Sequence, residues 1–236
     1  MVCCLEDGAH GLIGEHLLGR PWQHWVRFLK YNPRPLEHRE APPGKLLTRE
    51  EFAFLISSCR HEGSARAIRD GAMFVLAYGS AASTCEIATL QLQDYSPETP
   101  FLHVGRDLGP FKDRVVSLGP EAANLLTGWV ALRGRKLGSL FYSLDKFGGV
   151  RSEQITGATL HAALGDRCKK AGLSPIVPED LRRTGLTRLF EHGADLYAVA
   201  DIAGHRTLDD TERYEPCPSM HCAPTKSHGE TQFLKW

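Results

Sequence analysis

The chain has 236 residues, with 28 Lys+Arg against 28 Asp+Glu, 42% hydrophobic and 24% charged residues. That length suits one or two domains with a proper core, and the composition excludes a collagen-like, low-complexity or disulfide-dense chain. Zero formal net charge excludes bulk electrostatic capture of nucleic acid but leaves a local basic face open. No apolar run long enough to span a bilayer occurs, and the opening Met-Val-Cys-Cys-Leu-Glu-Asp has no basic-then-apolar leader. A soluble, cytoplasmic protein without a membrane partner is therefore expected.

In chain order, residues 11–31 space Leu12, Leu17, Trp22, Trp25 and Phe28 as a helix would, before Asn32-Pro-Arg-Pro35 and Ala41-Pro-Pro-Gly44 break it. Thr48-Arg-Glu-Glu51 reads as a capping box opening a helix with Phe52, Leu55 and Ile56, so a new domain starts near residue 45. Further helices are predicted at 64–79 and 84–92. Phe101–Val104 and Val115–Leu118 read as strands of a hairpin around a Gly/Pro/Lys-rich loop. Pro120 opens a helix to about Arg133, Leu140–Tyr142 reads as a short strand, and a helix at about 156–171 stops at Gly172. Helices at 178–192, 195–203 and 207–214 follow, ahead of a Pro-, Cys- and His-rich tail.

The predicted fold class is α+β, mostly helical, with one small antiparallel β unit. Its expected segments are a helical piece and linker at 1–44, a main domain at 45–216 and a tail at 217–236. The seven cysteines, at 3, 4, 59, 85, 168, 217 and 222, read as free thiols. The Cys217…His221-Cys222 cluster lacks the second ligand pair of a zinc site, so neither metal nor cofactor is expected. An unrelated helical enzyme or zinc module using this tail is the reading from outside the nucleic-acid class.

Three polar residues of the last third sit on otherwise apolar elements. Arg182 lies near the start of a helix, His205 follows Gly204 at a turn, and Tyr214 ends a short polar helix. Together they would suit a phosphate: a guanidinium fork matches its oxygens, a histidine can move a proton, and a tyrosine can attack. Taken singly, a capping histidine or a buried tyrosine is the commoner explanation.

The order of these residues resembles a family. Pro178-Glu-Asp-Leu-Arg-Arg-Thr-Gly-Leu-Thr-Arg188 resembles the second arginine box of the tyrosine recombinases, or phage integrases. Ala203-Gly-His-Arg-Thr-Leu-Asp-Asp-Thr-Glu-Arg-Tyr214 resembles their nucleophile segment. Leu76 to Asp94 resembles their first box, and Gly105 to Leu118 their lysine hairpin. The resemblance spans about residues 45–216. It implies a tyrosine-recombinase catalytic domain preceded by a remnant of a helical core-binding domain. It also implies a site-specific recombinase or integrase, of mobile-element type, acting on double-stranded DNA through a 3′-phosphotyrosine intermediate. A homo-oligomer (a tetramer on DNA) or a partner recombinase goes with that activity. Carried over, Tyr214 is the nucleophile, Arg182 and His205 hold the phosphate, and Lys112 protonates the leaving oxygen, with Arg106 as the other occupant of that position. Arg183, Arg188, Arg106 and Arg114 are the expected DNA contacts.

Two positions depart from the pattern. Ser83 stands where the first box carries arginine, and Glu179 stands where the second carries histidine. A preorganised cation is thereby lost and a carboxylate is placed near the expected phosphate, both of which oppose a developing anion. Two readings follow: a recombinase with weakened or absent cleavage, or a relative without cleavage that binds DNA or a partner recombinase as a regulator.

Overall fold

The computed structural model describes residues 44–105 and 113–216. The expected helix at 11–31, the hairpin tip at 106–112 and the tail from residue 217 lie outside the described residues. The described chain runs α1 (Arg49–Glu62), α2 (Ala65–Gly79), α3 (Thr84–Thr89), a 3₁₀ turn (Leu92–Asp94), β1 (Tyr95–Ser96), β2 (Phe101–Val104), β3 (Arg114–Ser117) and α4 (Pro120–Arg133). It continues with β4 (Tyr142–Leu144), β5 (Val150–Gln154), α5 (Gly157–Ala171), α6 (Pro178–Glu191), α7 (Leu196–Ala203) and α8 (Asp209–Glu212).

Local chemistry sets many of these boundaries. Thr48 Oγ1 accepts from the Glu51 amide at 3.1 Å and Glu51 Oε2 accepts from the Thr48 amide at 2.9 Å, closing the capping box that starts α1. Pro120 opens α4, where its missing N–H costs nothing. Gly172, at φ 65°, ends α5 in the left-handed conformation that a Cβ disfavours.

Helix α2 is the central element. Residues 71–78 along it are all buried, and it packs on α1, α4, α5 and α6. Such a helix is apolar around most of its circumference because no side of it meets water. Trp129 of α4 stacks on Phe141 at 6.2 Å and donates Nε1–H to the Leu140 carbonyl at 2.8 Å. A smaller core of Ala81, Leu186, Leu189, Phe190, Val199 and Ala203 joins α6 to α7, with Tyr214 packed against it. Antiparallel β1-β2-β3 forms one sheet, and β4-β5 a separate ribbon.

The structure differs from the sequence reading in several places, among them the added strand β1 and the second, separate ribbon. Helix α3 ends at Thr89 rather than residue 92, because the next segment turns extended to meet 138–140: Leu92 N–H donates to Gly138 O and Leu140 N–H to Leu90 O. Leu140 and Phe141 are completely buried core residues, and the strand starts only at Tyr142. Strand β5 was not foreseen because all five of its residues are exposed, so it carries no alternation of apolar side chains. The last helix is also shorter, Asp209–Glu212. Among the described residues no helix is long and apolar enough to cross a membrane, and Cys59, Cys85 and Cys168 are free thiols.

Candidate phosphate site at the α6–α7 junction

Helix α6 is held on one side and works on the other. Asp180, Thr184 and Arg188, four residues apart, face the entry segment: Lys45 N–H donates to Asp180 Oδ1 at 2.9 Å, Leu47 N–H to Thr184 Oγ1 at 3.1 Å, and Arg188 Nη2–H to Leu47 O at 3.5 Å. Gly185 lies directly against α2, where a Cβ would run into the Tyr78 carbonyl oxygen. This close approach lets Glu179 and Arg182, three residues apart on one face, reach across to the segments after α2 and α7.

Arg182 is 4% exposed. Its Nη1 donates to the Ala81 carbonyl, and its Nη2 donates to the Ala203 carbonyl at 2.9 Å and lies 3.0 Å from His205 Nε2. A guanidinium only donates, so His205 Nε2 is the acceptor, and Nδ1 carries the hydrogen it donates to Thr211 Oγ1 at 2.8 Å. Burial and then the Arg182 charge push the His205 imidazole down to about 4, so it is neutral at pH 7. The Tyr214 ring stacks on His205 with centroids 5.7 Å apart, and its hydroxyl donates to Glu179 Oε1 at 3.1 Å. Burial and then the Glu179 carboxylate raise the phenol above its ordinary range.

Behind these residues lies a buried ion pair. Glu86 is fully buried; Arg114 reaches its Oε1 at 2.5 Å and its Oε2 at 3.3 Å, and Arg182 stands 3.6 Å from Oε2. Burial pushes Glu86 up, but the Arg114 bond and charge and the Ser83 amide bring it below the usual carboxylate value. Arg114 Nε also donates to the Ile202 carbonyl at 2.6 Å. Gly204, at φ 68°, makes room for this guanidinium, which a Cβ there would strike. Ser83 works as a helix cap: its hydroxyl accepts from the Glu86 amide at 3.3 Å, while its own amide donates to Glu86 Oε2 at 2.7 Å.

The structure therefore brings Arg182, His205 and Tyr214 together from three elements. Lys112 and Arg106 lie outside the described residues, although Arg114, paired with Val104 where the hairpin closes, roots β3 at the site. The expectation of a basic face made by Arg183, Arg188 and Arg114 needs correction. Arg183 is 5% exposed and Arg114 9% exposed; the first packs against Gly44 and the second is committed to Glu86. Arg188 is half-buried and paired with Glu191. These side chains are buried or ion-paired within the fold rather than laid out as an exposed basic face. Sequence reasoning missed three contributors: the Ala81 carbonyl, Thr211 and the Glu86–Arg114 pair. Ala81, at φ 49°, is a non-glycine residue in the left-handed region, and nothing in its side chain announces that. Gly204 beside His205 was the available signal for Arg114, because only a residue without a Cβ leaves the guanidinium that space.

Four charged groups meet here, the guanidiniums of Arg182 and Arg114 and the carboxylates of Glu86 and Glu179, and the histidine is neutral. The described part of the site is thus balanced in charge. It offers one guanidinium, one imidazole and one phenol around a single point.

Residues 45–217 match the model of the phage integrase family, which covers most of the chain, and the protein belongs to that family. Over 171 residues it is 26% identical to the tyrosine recombinase XerC of Corynebacterium glutamicum, covering 72% of this chain and 54% of that one. To XerC of Actinobacillus pleuropneumoniae it is 29% identical over 215 residues, covering 86% and 67%. The chain thus spans between about half and two thirds of the length of these relatives. Its fold is that of the XerA recombinase crystal structure, with a TM-score of 0.64 over 83% of this chain and 68% of that one at 22% identity.

Proposed function

We propose that this chain is the strand-cleaving and rejoining domain of a site-specific DNA recombinase, with a site weakened by the loss of one cation. The observation that carries this reading is the convergence of Arg182, His205 and Tyr214, with the arginine 3.0 Å from the histidine and the histidine ring stacked on the tyrosine. In the proposed step Tyr214 Oη attacks a DNA phosphorus, a P–Oη bond forms and the P–O5′ bond breaks. The O5′ atom takes a proton from Lys112 (or from solvent, if Arg106 occupies that place). Arg182 and His205 hold the non-bridging oxygens, and rejoining is the reverse. Because His205 Nε2 faces Arg182 as an acceptor, binding a phosphate oxygen requires both that this contact break and that Nε2 gain a proton to donate.

Ser83 caps a helix and supplies no charge, and Arg114 is neutralised by Glu86. Removing one preorganised donor to a developing anion typically slows reaction by about 100- to 1,000-fold, so slow cleavage is expected. That same charge balance favours the second reading, a relative that binds DNA or a partner recombinase without cutting. Double-stranded DNA is the proposed substrate, and the working unit is an oligomer on that DNA. Supporting the DNA reading, the structural neighbours include the Tn1549 integrase in complex with transposon right-end DNA.

Trapping on a nicked suicide duplex taken from the flanks of its own gene is the test. A covalent protein–DNA adduct is expected in the wild type and should vanish in Tyr214→Phe, which keeps the ring but removes the nucleophilic oxygen. An adduct undiminished in Tyr214→Phe overturns the nucleophile. Salt-sensitive DNA binding without an adduct, in the wild type and in Ser83→Arg alike, selects the regulator.

A further inference from the structure

We infer that Glu179 is a catalytic proton acceptor, taking the Tyr214 phenol proton during DNA cleavage and returning it during rejoining. This rests on the recombinase reading above and assigns the one proton that reading leaves without a destination. Glu179 occupies the position where the family pattern has histidine, and from sequence its carboxylate looks only like a source of repulsion. The structure gives it a different relation to the nucleophile. Its Oε1 accepts the Tyr214 hydroxyl at 3.1 Å, within the reach a general base needs. Glu179 and Arg182 are three residues apart on α6, so one rigid helix fixes both the base and the arginine proposed to hold the phosphate.

Among the described residues no other group near Tyr214 is placed to do this. His205 stacks face to face with the phenol ring, and its two nitrogens are engaged with Arg182 and Thr211. Arg182 can only donate. Among the described residues Glu179 makes no ion pair, and it is exposed, so its carboxylate can exchange the proton with water between turnovers.

The proton balance closes. The Oη–H bond breaks as P–Oη forms, Glu179 becomes the acid, P–O5′ breaks, and O5′ takes its proton from Lys112 or water. In rejoining, the 5′-hydroxyl attacks and returns its proton to Lys112 or water, P–O5′ forms as P–Oη breaks, and the Glu179 acid protonates the departing phenolate. A free phenol is a far weaker acid than a carboxylic acid and does not surrender its proton to a carboxylate unaided. Transfer therefore accompanies P–Oη bond formation, which strips the oxygen of its basicity.

Two measurements decide the matter, one of them without DNA. Among the described residues the groups around the Tyr214 hydroxyl are Glu179, Arg182 and His205, and of these only Glu179 accepts from it. Absorbance titration of phenolate, with Tyr214→Phe subtracted to isolate this tyrosine, should show a lower midpoint in Glu179→Gln than in wild type. An unchanged midpoint means the hydrogen bond is absent in solution and overturns the inference. In single-turnover trapping at saturating nicked duplex, Glu179→Gln should cut the rate of adduct formation about 100-fold or more and flatten its rise with pH on the acid side. Glu179→Asp should recover part of the rate. If Glu179 only repels phosphate, Glu179→Gln speeds adduct formation instead. That result, or an unchanged rate, refutes the proton acceptor while leaving the Tyr214-dependent adduct, and with it the recombinase reading, intact. A wild type that never forms a Tyr214-dependent adduct removes both together. Glu179 is exposed, so neither variant should disturb the fold, and far-ultraviolet circular dichroism checks that directly.

Discussion

Replacing Arg114 by methionine keeps most of the side-chain volume and removes the guanidinium from a fully buried carboxylate. Glu86 then loses contacts of 2.5 and 3.3 Å and retains the Ser83 amide at 2.7 Å and Arg182, 3.6 Å away. Breaking a buried pair from one side typically costs about 3–5 kcal/mol, because it strands the remaining charge. The residual Arg182 contact places this case at the lower end, about 3 kcal/mol, which corresponds to roughly 6–12 °C in Tm for a domain of this size. The pH dependence gives the test its sign. In the wild type Glu86 lies below its ordinary value, so its contribution to stability is full above that value and is lost as pH falls through the lowered native one. In Arg114→Met burial, the largest influence on this carboxyl, is opposed only by the Ser83 amide and the Arg182 charge and is expected to raise it above its ordinary value, so stability is lost as pH rises through it. The gap between wild type and variant is therefore smallest near pH 4 and widens toward pH 7. Urea denaturation at pH 4, 5.5 and 7 measures it, and titrations common to both proteins cancel in the difference. The double variant Glu86→Gln/Arg114→Met should regain stability at pH 7 relative to Arg114→Met. An Arg114→Met protein as stable as wild type at all three pH values would refute the buried-pair reasoning.

Two further outcomes follow from the same region. Gly185→Ala drives a Cβ into the Tyr78 carbonyl, backbone against backbone, and should destabilise by about 1–3 kcal/mol or more in thermal unfolding; a neutral result would mean that α6 and α2 are not in this close contact. Nitrogen-15 NMR of His205 should show the neutral Nδ1–H tautomer at pH 7 and titration near about 4. Its folded value is depressed, so the stability it contributes is complete above its free value of 6.5 and declines as pH falls from there through about 4. An imidazolium at pH 7 would contradict the Arg182–His205–Thr211 chain.

The sequence by itself determined those features whose partners are near in the chain. Thr48 and Glu51 close a capping box three residues wide, Pro120 opens α4, and Gly172 stops α5, each through bonds spanning four residues or fewer. The order of the four motifs was legible too, and the family to which the chain belongs follows from it. Tertiary structure decided the rest, because the remaining partners are far apart: Arg114 is 28 residues from Glu86, and Tyr214 is 35 residues from Glu179. At such separations residue type does not reveal partner or burial. Arg114 and Arg183 read as surface charges and are inside. Ser83 reads as a gap in the site, whereas its hydroxyl is occupied capping α3. Glu179 illustrates the difference most sharply. In one dimension it is a carboxylate where a cation would help, while in three it accepts the hydrogen of the tyrosine hydroxyl, since whether a charge opposes or assists a reaction depends on which atom it faces.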